Sequence, residues 1–170
     1  ILDFFIWLQH LLTHKIEFLW RIHRVHHSDT EMDVSTAIRF HPIEIALSMA
    51  LKISLVYALG ADPLSVLIFE ILLNGSSIFN HANINIPNRI DKIVRFLIVT
   101  PDMHRIHHSS DRIEHDTNFG FALSIWDHMF QTYKSRPERD HKEMEIGLNW
   151  QDEKPQELGW SLGLPFKKNG

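Results

Sequence analysis

The chain has no cysteine among its 170 residues. Disulfides, iron–sulfur clusters and thiolate zinc sites are therefore excluded, and a count of zero carries no information about redox compartment. It also lacks a basic stripe interleaved with aromatics, and its formal charge is -4, so it does not carry the footprint of a nucleic-acid binder. No H-E-x-x-H occurs, which removes the commonest signature of a zinc hydrolase. Residues 1–27 contain neither glycine nor proline, and no low-complexity tract interrupts the chain. Its length suits one domain with a sizeable core.

What the sequence has in excess is histidine, thirteen in all. Six of them form two near-identical boxes, H-R-V-H-H at 23–27 and H-R-I-H-H at 104–108. At this composition about 0.07 copies of H-x-x-H-H are expected by chance, and about 0.003 for a pair, so incidental surface histidines are set aside. On a helix the positions i, i+3 and i+4 fall within an arc of roughly 100°. One box can thus present three nitrogens to a metal from one face, and neutral imidazole is a common ligand for zinc, iron, copper and nickel.

The opening I-L-D-F-F-I-W-L has no basic n-region or cleavage site, and it reads as the second half of a membrane helix that begins upstream. His10 and His14 share a helical face, but His14 and His23 are half a turn out of phase. The spacing predicts a bend or break within residues 15–22, or ligands drawn from separate segments. S-D-T-E-M-D-V-S-T after His27 reads as a loop leading to a new helix, and His41 precedes a proline at that helix start, a capping or orienting position more than a ligating one.

Residues 43–59 and 63–79 are two apolar runs about the turn G-A-D-P. A soluble helix keeps a polar face, and these keep little of one, so a short hairpin entering the bilayer is expected. Lys52 and Glu70 should face protein or snorkel. His81 stands alone at the hairpin's end, as a ligand or a structural histidine. R-I-D-K-I-V-R-F-L-I-V at 89–99 suits an interfacial helix and an amphipathic core helix equally. His115 could be a further ligand or a donor orienting one. His128 and His141 read as structural, and from about Lys134 the charged chain is expected in water.

H-L-L-T-H, the two triple boxes, F-N-H-A-N and the N-F-G…W-D…F-Q-T-Y sequence occur in an order that resembles the fatty acid hydroxylase and sterol desaturase superfamily, over roughly residues 1–133. R-F-H-P-I-E is similar to bacterial-type members. The resemblance implies an all-α integral-membrane protein, with a di-iron domain at 1–133, a polar tail at 134–170 and upstream membrane helices outside this sequence. It implies a cytosolic histidine site in which His10, His14, His23, His26, His27, His81, His104, His107 and His108 hold two iron ions, for which zinc can substitute in purified samples. Some members carry another histidine four residues after the equivalent of His81; here it is Asn85. The implied activity is dioxygen-dependent hydroxylation or desaturation of a lipid C–H bond, with electrons from a cytochrome- or ferredoxin-type donor and its reductase. No nucleic acid is implied. The rival readings are a zinc-dependent membrane hydrolase and a non-catalytic metal-binding membrane protein. Each expects fewer clustered histidines, or more ionisable residues within the spans, than this sequence has.

Overall fold

The computed structural model of the chain describes residues 1–141, 143–151 and 154–168. Every regular element among them is helical: α1 (Leu2–Lys15), α2 (Glu17–His27), α3 (Pro42–Leu59), α4 (Pro63–His81), α5 (Asn88–Val94), α6 (Pro101–His107), α7 (Arg112–His115), α8 (Ile125–Met129) and α9 (Leu158–Gly163), with 3-10 turns at Thr36–Ile38 and Leu164–Phe166. Two isolated bridges, Ile98 with Leu123 and Ser109 with Ile146, are the β pairing among these residues.

The expected break falls at Ile16, which leaves helical geometry for φ -101, ψ 112 and serves as C-cap of α1 and N-cap of α2. One extended residue corrects the phase error between His14 and His23, whose rings come to 5.0 Å between centroids.

The hairpin follows from its capping residues. His41 Nδ1 accepts from Ile43 N at the start of α3, and Pro42 occupies the first helical position. Gly60 closes α3 at φ 60, ψ 35, a left-handed conformation that favours glycine, and Asp62 then caps α4 by accepting from Leu64 N and Ser65 N. Both helices are long and apolar enough to cross a membrane, yet only 6% and 17% of their apolar stretches are buried within the chain. A soluble core helix shows the reverse, so the apolar side chains of this pair face a lipid-like surround. Lys52 Nζ meets both oxygens of Glu70, at 2.8 and 2.9 Å, which satisfies the two interrupting charges across the hairpin.

In α5 the usual amphipathic order is inverted. Ile90 and Ile93 are 53% and 75% exposed, while Asp91 and Arg95 are buried and paired with each other. An ordinary core helix turns its apolar side inward, so that alternative is excluded. The C-terminal stretch also departs from its polar composition. Trp160 and Leu164 pack in a buried cluster with Leu148 and Val25 of α2, and Arg24 donates to the carbonyls of Leu164 and Lys167 at 2.7 Å each.

Candidate metal centre

Four helices bring nine histidines to one place, none more than 4% exposed. They form two groups. His10, His14, His23, His27 and His107 make one, and His26, His81, His104 and His108 make the other; within each, candidate ligand atoms lie within 4.8 Å of one another. All nine residues expected from the sequence are in these groups.

Neither triple box falls within a single group. His23 and His27 go to the first group and His26 to the second, whereas His104 and His108 go to the second and His107 to the first. Helical geometry accounts for this. Position i+4 lies about 40° to one side of i and i+3 about 60° to the other, so the arc straddles two neighbouring points. The i, i+4 pair faces one group and the i+3 residue crosses to the other, with the roles exchanged between α2 and α6.

The ring nitrogens are set up to ligate. Nδ1 of His10, His81 and His107 donates to the carbonyls of Phe119, Ser77 and Thr117 at 2.8, 2.7 and 2.8 Å, and Nδ1 of His26 to Arg39 O at 3.2 Å. Nδ1 of His23 donates to Glu44 Oε1 at 2.6 Å. A neutral ring that donates from Nδ1 carries a bare lone pair on Nε2. Burial, reinforced by neighbouring imidazoles, holds His26, His27, His104, His107 and His108 well below the ordinary imidazole range, so these rings are neutral at pH 7. His26 and His81 therefore turn two lone pairs on each other at 3.2 Å, and His104 Nε2 stands 3.1 Å from His81 Nε2. Between His26 and His81, two acceptors, that is not a hydrogen bond, whereas His104 has no partner at Nδ1 and its Nε2 is free to donate to His81 or to offer a lone pair. Both distances match those between nitrogens that share one ion, which at about 2.1 Å each lie roughly 3.0–3.4 Å apart. Nε2 of His10, His23, His27, His107 and His108 has no hydrogen-bond partner either, although all are buried. The donor set fits two imidazole-ligated metal ions.

A second layer fixes the rings. Asp127, fully buried, accepts from Phe119 N, Gly120 N, Trp7 Nε1 and Thr132 Oγ1 at 2.9, 2.7, 3.0 and 2.6 Å. Burial pushes its carboxyl up, and these four donors oppose the shift. The loop so clamped carries the Phe119 and Thr117 carbonyls that orient His10 and His107. Asn118, at φ 55, adds Nδ2 donation to Met103 O and Lys134 O at 3.0 Å each. A Cβ on Gly120 would meet Val99 Cγ2 at 2.7 Å and Asp127 Oδ2 at 2.9 Å, so the clamp requires glycine there. Glu44, Asp127 and the carbonyls were not marked as functional by the sequence; F-H-P-I-E and N-F-G…W-D were visible strings whose partners only the fold supplies.

The remaining histidines separate clearly. His41 caps α3, and His128 packs its ring 4.0 Å from Tyr133. His141 is outside every candidate metal group among the described residues. Asn85 is exposed, beyond the end of α4 at His81, because Ala82 turns extended. His115 and Asp116 form a third candidate group with His14. Beside the first group lies a cavity of about 260 Å³, whose lining includes His10, His23, Glu44, Ser48 and Asn74 among the apolar side chains of Ile6, Ile45, Leu73 and Phe121.

The profile of the family described as "Fatty acid hydroxylase" matches residues 1–132. Similar proteins include the ornithine lipid hydroxylase OlsE of Rhizobium tropici, 34% identical over 139 residues, which cover 81% of this chain and 40% of that protein. The alkylglycerol monooxygenase of Homo sapiens is 28% identical over 142 residues, 81% of this chain and 30% of the relative. The cholesterol 25-hydroxylase of Homo sapiens is 28% identical over 140 residues, 79% and 48% respectively. The chain thus spans less than half the length of these relatives. No solved structure matches it.

Proposed function

The chain belongs to the fatty acid hydroxylase family, and from that premise we propose that it is the metal-bearing part of an integral-membrane lipid hydroxylase. The observation that carries the reading is the pair of buried histidine groups, in each of which one ring nitrogen per residue lies within 4.8 Å of the others. The ions are two irons, held by His10, His14, His23, His27 and His107 at one point and by His26, His81, His104 and His108 at the other. When bound, they supply dioxygen activation, which attacks a C–H bond that offers no acidic proton or leaving group. One oxygen atom enters the C–H bond and the other leaves as water, with two electrons from a cytochrome- or ferredoxin-type donor protein and two protons. Hydroxylation is preferred over desaturation because the three relatives above are named as hydroxylases or a monooxygenase.

The chain's own residues do the rest. The apolar walls of the cavity receive a lipid chain, and His10 and His23 in its lining set the oxidised carbon beside the first group. The carbonyls of Phe119, Thr117, Ser77 and Arg39 and the Glu44 carboxylate hold the rings against rotation. Residues 1–133 act as the metal domain and 134–170 as the tail, of which Leu148, Trp160 and Leu164 pack against Val25 of α2 on the aqueous, cytosolic side. The outward apolar face of α5 rests in the membrane interface, flanked by Arg89 and Lys92.

The test is purification of the full-length protein from iron-supplemented cells, elemental analysis, and mass spectrometry of lipids from cells expressing it. Two metals per chain and a dioxygen-dependent gain of one oxygen atom are expected. A firm value of one metal would sink the dinuclear reading, and metal without any lipid oxidation would leave a binding protein.

A further inference from the structure

The nine histidines are buried, so an ion needs a route to them, and imidazole carries no negative charge to draw a cation in. His115 and Asp116 are half-buried at the edge of the five-histidine group, with candidate ligand atoms within 4.8 Å of one another and of His14. Asp116 Oδ2 accepts from Lys15 Nζ at 2.8 Å, which fixes the carboxylate. Its Oδ1 has no hydrogen-bond partner and points at His14 Nδ1, 3.6 Å away; both nitrogens of His14 also lack partners. Trp20 stacks on the His115 ring at 4.9 Å and lies 5.0 Å from His14 and 5.3 Å from His27, covering the step inward.

We propose that His115, Asp116 and His14 form a loading site where a divalent cation binds before it passes into the five-histidine group. This rests on the reading that the group holds a metal. Two imidazoles and one carboxylate suit a borderline divalent ion such as ferrous iron, zinc or cobalt. Asp116 contributes the negative charge. His14 belongs to both sets, so the ion gains inner ligands before it loses the outer pair and is never stripped bare.

Stopped-flow uptake of Co(II) by chelator-stripped full-length protein, read by visible absorbance and closed by elemental analysis, tests this. His115→Ala and Asp116→Asn should each slow uptake on the order of tenfold and end at the wild-type cobalt content. His115→Gln covers the case in which the alanine variant fails to fold, and His128→Ala should load at the wild-type rate. Unchanged rates overturn the proposal. So does a lowered final content, which would make the pair permanent ligands or positioning residues of the group. Wild-type protein that binds no cobalt would instead strike at the metal reading itself.

Discussion

At the scale of single residues, the divided boxes give unequal consequences to histidines one position apart. His26→Ala reduces the four-histidine group to three donors, and metal content after dialysis against a chelator should fall from two ions toward one. His107→Ala leaves four of five donors in the other group, so both ions should stay, with one held about 10- to 100-fold more weakly. Full metal and full lipid oxidation in His26→Ala would refute the ligand assignment. Asp127→Ala orphans the donors Phe119 N, Gly120 N and Trp7 Nε1 in a buried site. It should cost about 3 kcal/mol, seen as a melting temperature roughly 6–12 °C lower in detergent. The histidines themselves were legible, because repetition at i, i+3 and i+4 is too improbable to be accidental. Their division was not, since spacing states an arc on one helix and says nothing of how many points that arc faces. Glu44 was equally hidden: an acidic residue in a first turn reads as a favourable end charge until His23 is seen 2.6 Å away.

At the scale of elements, phase arithmetic located the break between α1 and α2 to within a few residues, and the turn residues delimited the hairpin. The pairing of Lys52 with Glu70 escaped the sequence, because lone charges in apolar runs do not state which way they point. The pair predicts an asymmetry. Glu70→Leu strands the ammonium among apolar side chains and should lower the melting temperature in detergent, by an amount equivalent to about 2–4 kcal/mol. Lys52→Leu with Glu70→Leu should recover most of that loss. If the double variant melts below the single, the two charges have other work in the hairpin. The direction of α5 was ambiguous for a related reason: its periodicity defines two faces, and the structure alone turns Asp91 and Arg95 inward.

At the scale of the molecule, the hairpin of 18- and 19-residue helices spans about 27 Å, close to the hydrocarbon thickness of a bilayer. Both its ends return to the histidines. Cysteine accessibility is a direct test because the chain has no cysteine of its own. Thr30→Cys and Asp111→Cys should label from one membrane face and Ala61→Cys from the other. Labelling of Thr30→Cys and Asp111→Cys from opposite faces would rule out a shared site. The docking of Trp160 and Leu164 on α2 was invisible beforehand, since two apolar residues within a charged stretch make no periodic signal.

On the proposed two-ion reading, each ion would be a cross-link in a chain that has no disulfide. His27 and His107 would be joined through one and His26 and His108 through the other, closing loops of some eighty residues. On the chain-entropy account of such closures, each link restricts the unfolded chain by about 4–5 kcal/mol. Removing the ions also leaves lone pairs confronting one another in a dry interior. Chelation should therefore loosen the packing between distant segments before it unwinds the helices. Near-ultraviolet dichroism would fade while the far-ultraviolet helical signal persists, and metal would restore it. Loss of both signals together would mean instead that the helices depend on the ions for their existence.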